Sequence, residues 1–312
     1  MDPSHVSTSG LTLVRKSGVM DGELRDSSDI LGDWRALRQR IADDGYVFVR
    51  GLLDPEVVGG VGRTGLGALQ QAGWTEPDGD PVNAPPVAPV RAVRMRDAFG
   101  QPGYRDIVRD PGFHRLAFTE PVVALMTQIL GPDGFCYPVK VPRVVYPTTF
   151  APHQPGNYTH KDYNAVQDMF TCWLPLGEIP RSLGGLAVEP GSQHSARIRP
   201  RPIDHLPPRW VTTDYLPGDL LVFHCLTTHA ALPNREHRMR FSAEFRWQLA
   251  DQPAPRRLVT GPAGQELYSR LFARSSWWHP VPSKLALFDD QFGQRHLPAP
   301  PSRFVDVADA GS

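Results

Sequence analysis

The sequence predicts a mainly β fold, an antiparallel sandwich or jelly roll preceded by helices, and three observations carry that prediction. After Phe135 the chain runs in short segments rich in Val, Phe, Trp and Leu, at 139–146, 169–176, 186–189, 220–224 and 241–249. Pro-Gly and Gly-Gly pairs such as Gly184-Gly185, Pro190-Gly191 and Pro217-Gly218 punctuate them, which is turn chemistry. Helical spacing of apolar residues belongs to the first half.

Residues 1–28 are polar, without apolar periodicity, and read as a flexible lead-in with order beginning near Ile30. Trp34, Leu37 and Ile41 recur at helical spacing and stop at Gly45, predicting a short amphipathic helix that feeds the strand Tyr46-Val47-Phe48-Val49-Arg50. Asp54-Pro55 starts a second helix, because an aspartate accepts from the first free N–H groups and proline has none to lose. The stretch from Glu76 to Val90 holds five prolines and little hydrophobic pattern, as a loop or a flap over a site would. From Tyr104 to Leu130 apolar residues return at helical spacing, and Gly131-Pro132 ends the run. The expected organisation is a lead-in (1–28) and a single domain (29–312) with a helical part (29–134), a jelly-roll core (135–250) and a C-terminal extension (251–312).

A chain of 312 residues can bury a large core without staples, and 28 glycines with 33 prolines stay below the level of low-complexity disorder. Lys plus Arg equals Asp plus Glu at 33 each, so no net field attracts nucleic acid or an anionic membrane; a small molecule is the expected partner. Cys136, Cys172 and Cys225 are isolated, odd in number and set among apolar residues, as reduced thiols of a cytoplasmic protein would be. The N-terminus lacks the apolar region of a signal peptide, and no run of 18 apolar residues occurs. Oligomeric state leaves no mark.

The chemistry gathers around histidines. His-x-Asp occurs once, at His160-Lys161-Asp162, and two residues apart on a strand both side chains share a face and one metal ion. A lone His-x-Asp is also what a solvated pair would show. Downstream, Pro217-Gly218-Asp219 turns into the strand that ends at His224, with His229 just beyond. A second histidine returning to the pair makes the two-imidazole, one-carboxylate set that leaves open positions on a metal. Eleven residues past His229 lies Arg240, whose planar guanidinium suits a carboxylate. His224 is the rival third ligand, with Arg235 at its own plus-eleven position; Arg235 sits in a turn, whereas Arg240 opens a strand that must pack inward. As a non-ligand, His224 is expected beside the metal or bonded to a ligand. His153, His194 and His237 read as surface residues. Trp277-Trp278-His279 reads as core packing or a substrate-facing wall, and Lys140 or Arg143 as a contact for an anionic substrate.

Taken in order, Asp44-Gly45-Tyr46-Val47-Phe48-Val49-Arg50-Gly51, His160-Lys161-Asp162, Trp173, Gly184-Gly185-Leu186-Ala187-Val188-Glu189-Pro190-Gly191-Ser192, Pro217-Gly218-Asp219, His229 and Arg240 resemble the phytanoyl-CoA dioxygenase family, from about Ile30 to about Gln248. The resemblance implies a double-stranded β-helix with iron(II) held by His160, Asp162 and His229. It implies 2-oxoglutarate clamped at Arg240, Trp173 lining the co-substrate pocket, O2 as oxidant and ascorbate as a candidate reductant. The implied reaction hydroxylates, desaturates or cyclises a small organic molecule of secondary metabolism and releases succinate and CO2. Two departures stand out: Gln193-His194 follows Pro-Gly-Ser where the family places histidine directly, and Ala231 replaces a serine that often touches 2-oxoglutarate. Asp162 is a carboxylate where related halogenases carry a small residue, which favours hydroxylation. The rivals are a cupin-type metal enzyme with no need of Arg240, and a metal-free jelly-roll binding module.

Overall fold

The computed structural model describes residues 22–87, 100–151, 154–162, 168–195, 200–260, 265–289 and 302–304. Helix α1 (Trp34–Asp44) begins where the Asp33 carboxylate accepts from Arg35 and Ala36 N–H, and it stops at Gly45, which takes a φ of 81° that a side chain would strain. The chain turns there into β1 (Tyr46–Val49). Helix α2 (Pro55–Gln71) starts on Asp54, as expected. Anchoring begins before Ile30: Leu24 N–H donates to Thr212 O (3.0 Å) and Ser27 N–H to Phe48 O (2.8 Å). Residues 1–21 of the expected lead-in lie outside the described residues.

The single helical run expected over 104–130 is three helices, α3 (Tyr104–Ile107), α4 (Pro111–Arg115) and α5 (Glu120–Leu130). Pro111 and Pro121 are the reason. Each lacks the N–H that would continue a helix, and the backbone is extended at Asp110, directly before Pro111, and at Thr119, the cap two residues before Pro121. The proline-rich stretch closes on itself through a bridge between Thr75 and Pro86, and its end at 88–90 lies outside the described residues.

The remaining strands are β2 (Gly134–Cys136), β3 (Val141–Val145), β4 (Phe170–Pro175), β5 (Leu186–Val188), β6 (Leu220–His224), β7 (His229–Ala231), β8 (Arg240–Leu249), β9 (Ala254–Pro255) and β10 (Leu287–Phe288). Helices α6 (Arg256–Thr260) and α7 (Gln265–Phe272) lie between the last two. The major sheet runs β1-β6-β4-β8-β2, with β3 also on β8, all antiparallel. The minor layer is the antiparallel pair β5–β7, widened by bridges from His229 to His160 and from Val188 to Val211.

Strand alternation separates two cores. Val47, Val49, Cys172, Leu174, Leu220, Val222, Phe241, Ala243 and Phe245 face the helices and pack with Leu37, Ile41, Val58, Leu125 and Ile129. Tyr46, Phe48, Trp173, Leu221 and Phe223 face the other way, onto Leu186, Val188, Val211 and Tyr215 of the minor layer. The architecture is therefore helices, major sheet and minor layer in sequence. Trp277 and Trp278 pack on the helical side, around Phe118 and Phe272, so their place is core packing. Cys136, Cys172 and Cys225 are buried thiols. No described helix is long and apolar enough to cross a membrane.

Candidate metal centre

His160 and His229 lie directly opposite each other and exchange both backbone hydrogen bonds, at 3.0 Å each. Such a pair projects its side chains to one face, and the ring centroids stand 4.2 Å apart. The segment His160-Lys161-Asp162 is a bridge partner of β7, extended but outside the named strands. The Asp162 N–H donates to Cys225 O (2.7 Å), which returns its side chain to the side of His160. Lys161 points away and donates to Ser192 O (2.7 Å) and Ser195 O (2.9 Å). One ligand atom from each of His160, Asp162 and His229 lies within 4.8 Å of the others.

Neighbours prepare these groups. The Nδ1 of His160 stands 2.7 Å from Tyr158 O, and that of His229 3.0 Å from Thr227 O. A carbonyl only accepts, so a proton sits on Nδ1 and Nε2 is the ring atom turned to a cation. Burial first, then the adjacent His160, pushes His229 down to about 4, which keeps it neutral and ligand-ready. Burial alone would raise the Asp162 carboxyl, but Arg246, followed by His229 and His160, outweighs it and holds the group well below the usual carboxylate range. Its Oδ2 accepts from Thr171 Oγ1 (3.1 Å) and lies 3.7 Å from the Arg246 guanidinium, leaving Oδ1 for a cation. Two imidazoles and one carboxylate fit a divalent transition metal.

The inner face of β8 continues the site. Arg240, Ser242, Glu244, Arg246 and Gln248 alternate with Phe241, Ala243, Phe245, Trp247 and Leu249 of the helical-side core. Arg240 is 2 % exposed, donates from Nη1 to Gly184 O (2.9 Å), and has no carboxylate partner among the described residues. Burial pushes its guanidinium down to about 10, with Glu244 opposing. Gly184 has a φ of 81°, and a Cβ there would lie 2.2 Å from Leu232 O, so the close approach that places its carbonyl requires glycine. Trp173 is fully buried, with the Arg240 Cζ 5.7 Å from its ring and no partner for its Nε1 among the described residues.

His224 stands elsewhere. It alternates with Phe223, whose ring is 4.5 Å from His229, and so faces the helical side, with Nε2 3.3 Å from Asp168 Oδ1. The expectation that it packs beside the metal or bonds to a ligand is thereby corrected. Arg235 is exposed and donates to Asp204 O. Sequence reasoning missed Glu244, Arg246 and Thr171. The available signal was the charged stripe at alternate positions of a strand buried on both faces. Arg143 donates to both Glu244 oxygens (2.7 and 2.6 Å), so it belongs to the chain Arg143–Glu244–Arg246–Asp162 and not to a free anion site. Lys140 is buried over Phe118 on the helical side, donating to Tyr137 O (2.6 Å). His194 is half-buried with Nε2 2.7 Å from Ala42 O, a correction to its surface reading; His237 is exposed, and His153 lies outside the described residues.

The family model for phytanoyl-CoA dioxygenase matches residues 41–242, more than half of the chain. The 1-deoxypentalenic acid 11-beta-hydroxylase of Streptomyces arenae is 28 % identical over 249 residues, 72 % of this chain and 84 % of that protein. Its counterpart in Streptomyces exfoliatus is 27 % identical over 252 residues, with the same coverage. Among solved structures, the non-heme alpha ketoglutarate dependent epimerase SnoN from nogalamycin biosynthesis aligns over 70 % of this chain and 84 % of its own, at 19 % identity and a TM-score of 0.47. By the extent of the family match, the chain belongs to the phytanoyl-CoA dioxygenase family and is a 2-oxoglutarate-dependent non-haem iron dioxygenase.

Proposed function

We propose that His160, Asp162 and His229 hold iron(II), that Arg240 grips the distal carboxylate of 2-oxoglutarate beside Trp173, and that the enzyme hydroxylates a small organic molecule of secondary metabolism. The observation that carries this reading is the convergence of three ligand atoms within 4.8 Å, two on imidazoles and one on a carboxylate. The buried, carboxylate-free Arg240 supports the co-substrate assignment, since a lone guanidinium in a closed interior calls for an anion. The two facing β layers support a double-stranded β-helix, and residues 29–312 act as one oxygenase domain. The two Streptomyces relatives, hydroxylases of a small organic acid by name, support the substrate class and hydroxylation.

Iron, when bound, supplies the activation of O2, coupled to oxidative decarboxylation of 2-oxoglutarate to succinate and CO2, with one oxygen atom going to succinate and the other into a substrate C–H bond. The chain's own residues do the rest. Carbonyls of Tyr158 and Thr227 fix the two imidazole tautomers, while Thr171 and Arg246 hold Asp162 to one free oxygen. Phe223 and Trp173 exclude water around the ligands and the clamp.

The test is anaerobic addition of iron(II) and then 2-oxoglutarate to the purified protein. A visible charge-transfer band that needs both is the expected result. Bound iron without a 2-oxoglutarate band would point to a cupin-type metal enzyme, and failure to bind iron by folded protein to a non-catalytic binding module.

A further inference from the structure

A buried carboxylate outside the metal site ties the end of the chain to its middle. Asp168 is 0 % exposed, stands just before β4, and takes donors from three distant segments. Its Oδ1 accepts from His224 Nε2 (3.3 Å) and from Ser302 Oγ, and its Oδ2 from Gln252 Nε2 (3.1 Å) and the Arg303 N–H (3.0 Å). Burial alone would raise this carboxyl, but His224, then Ser302 and the Arg303 N–H, outweigh it and hold the group below its usual value. A buried anion depends on its donors, and two of these four come from residues 302 and 303.

Further contacts fix the same segment. Phe304 sets its ring edge-on to Phe170, with centroids 5.1 Å apart, and the Arg38 guanidinium of α1 lies 5.8 Å from the Phe304 ring. The Phe304 N–H donates to Ser302 Oγ (3.1 Å). These residues lie beyond the family match, which ends at 242, so the family resemblance does not account for the clasp.

From Asp168 a short path leads to the metal centre. The second ring nitrogen of His224, Nδ1, accepts from the Leu226 N–H (3.3 Å), so the ring proton sits on Nε2 and is aimed at Asp168. The imidazole thereby ties Asp168 to a turn whose middle residue is Cys225. The Cys225 N–H donates to Met169 O (2.8 Å), next to Asp168, and the Cys225 carbonyl accepts from the Asp162 N–H (2.7 Å). That last bond is the one that returns the Asp162 side chain to His160.

We propose that Asp168 and Ser302 are positioning residues for the Asp162 ligand, and that residues 302–304 set the geometry of the metal centre through Asp168, His224 and the Cys225 peptide. The inference rests on the reading of His160, Asp162 and His229 as iron ligands. With the clasp open, Asp168 loses two donors, the His224 turn loosens, and Asp162 leaves the orientation that faces the two imidazoles.

The test measures iron(II) affinity of the full-length protein by anaerobic competition with a chelator, alongside urea unfolding of the metal-free protein. Ser302→Asp confronts Asp168 with a second carboxylate and drives the clasp open. Iron(II) binding should then weaken about tenfold, the scale on which contacts supporting a ligand act on a metal site, while remaining stoichiometric at high protein concentration. Ser302→Ala, which removes one donor, should weaken it about three- to fivefold, and Ser302→Thr, which keeps the hydroxyl, should bind iron as the wild type does. Asp251→Ala, which cuts only the exposed ion pair with Arg303 (2.7 Å), is the control and should change nothing. His224→Ala checks the path: it should hold its iron more weakly, and adding Ser302→Ala should cost little further, since both act along one route. Should Ser302→Asp fail to fold, Ser302→Ala decides alone. Wild-type iron affinity in the folded Ser302 variants, whether or not the urea midpoint falls, overturns the proposal, as do fully additive losses with His224→Ala. A wild type that binds no iron overturns instead the ligand reading on which it rests.

Discussion

Replacing Arg240 with leucine should move affinity and stability in different ways. In the folded chain the guanidinium is 2 % exposed, has Gly184 O as its hydrogen-bond acceptor, and is pushed down to about 10 by burial. A base whose folded value lies below its unfolded one weakens the fold whenever it is charged, here by roughly 3 kcal/mol at neutral pH before relaxation. Leucine removes that cost, loses the bond to Gly184 O and leaves some space, so the ligand-free stability should change by no more than about 2 kcal/mol. Binding should respond strongly: cutting one partner from a buried charge-assisted pair costs on the order of 2–5 kcal/mol, about thirtyfold or more in Kd. Arg235→Leu is the control, because that side chain is exposed and its loss is worth about 0–1 kcal/mol. Arg240→Lys should recover only part of the affinity, since an ammonium lacks the two-point grip. Titration of 2-oxoglutarate against all three variants, with urea unfolding of the ligand-free proteins, checks the argument. Equal losses of affinity for Arg240→Leu and Arg235→Leu, or a large loss of stability in a folded Arg240→Leu protein whose affinity is intact, would show that Arg240 is a structural residue holding the Gly184 turn.

Alanine at His160, Asp162 or His229 should abolish stoichiometric iron binding and succinate formation, whereas His224→Ala should keep its iron and lose about 1–3 kcal/mol of stability; metal analysis and urea unfolding separate the two. Arg246→Leu should weaken iron(II) about tenfold in competition with a chelator, because it removes the cation that outweighs burial at Asp162, and Thr171→Val should act in the same direction by less. Metal-free stability should fall as pH drops from 6.5 towards 4. In that window unfolded histidines take a proton that folded His229, pushed down to about 4, and His114, pushed down to about 3 by burial and then by Lys140, do not. Urea midpoints at pH 7 and 5 measure the slope, which His229→Gln should flatten; an unchanged slope would mean that His229 is not held neutral by the fold.

Local chemistry was readable without coordinates wherever a residue acts on its own neighbourhood. Asp33 and Asp54 cap helices through bonds two and three residues away, and Gly45 ends a helix by its own φ. A short apolar run after the Pro217-Gly218 turn marked β6 and period-two alternation marked β8, and His160 with Asp162 fell on one side because only Lys161 lies between them. The run over 104–130 was misjudged because apolar spacing survives a proline that breaks the hydrogen-bond ladder. The sequence leaned to His229 over His224 only through the settings of Arg240 and Arg235; which histidine lies near His160 and Asp162 is a tertiary matter. Each has an arginine eleven residues on, so spacing alone was silent; in the fold His224 lies on the helical side of β6, while His229 pairs across to His160. The same holds for Glu244, Arg246 and Ser242. Alternation states that they share a face, but only strand register states that the face looks onto Trp173 and Asp162. A sequence by itself determines which side chains travel together, because backbone geometry is local; which of them meet across the interior is set by pairing between segments far apart in the chain.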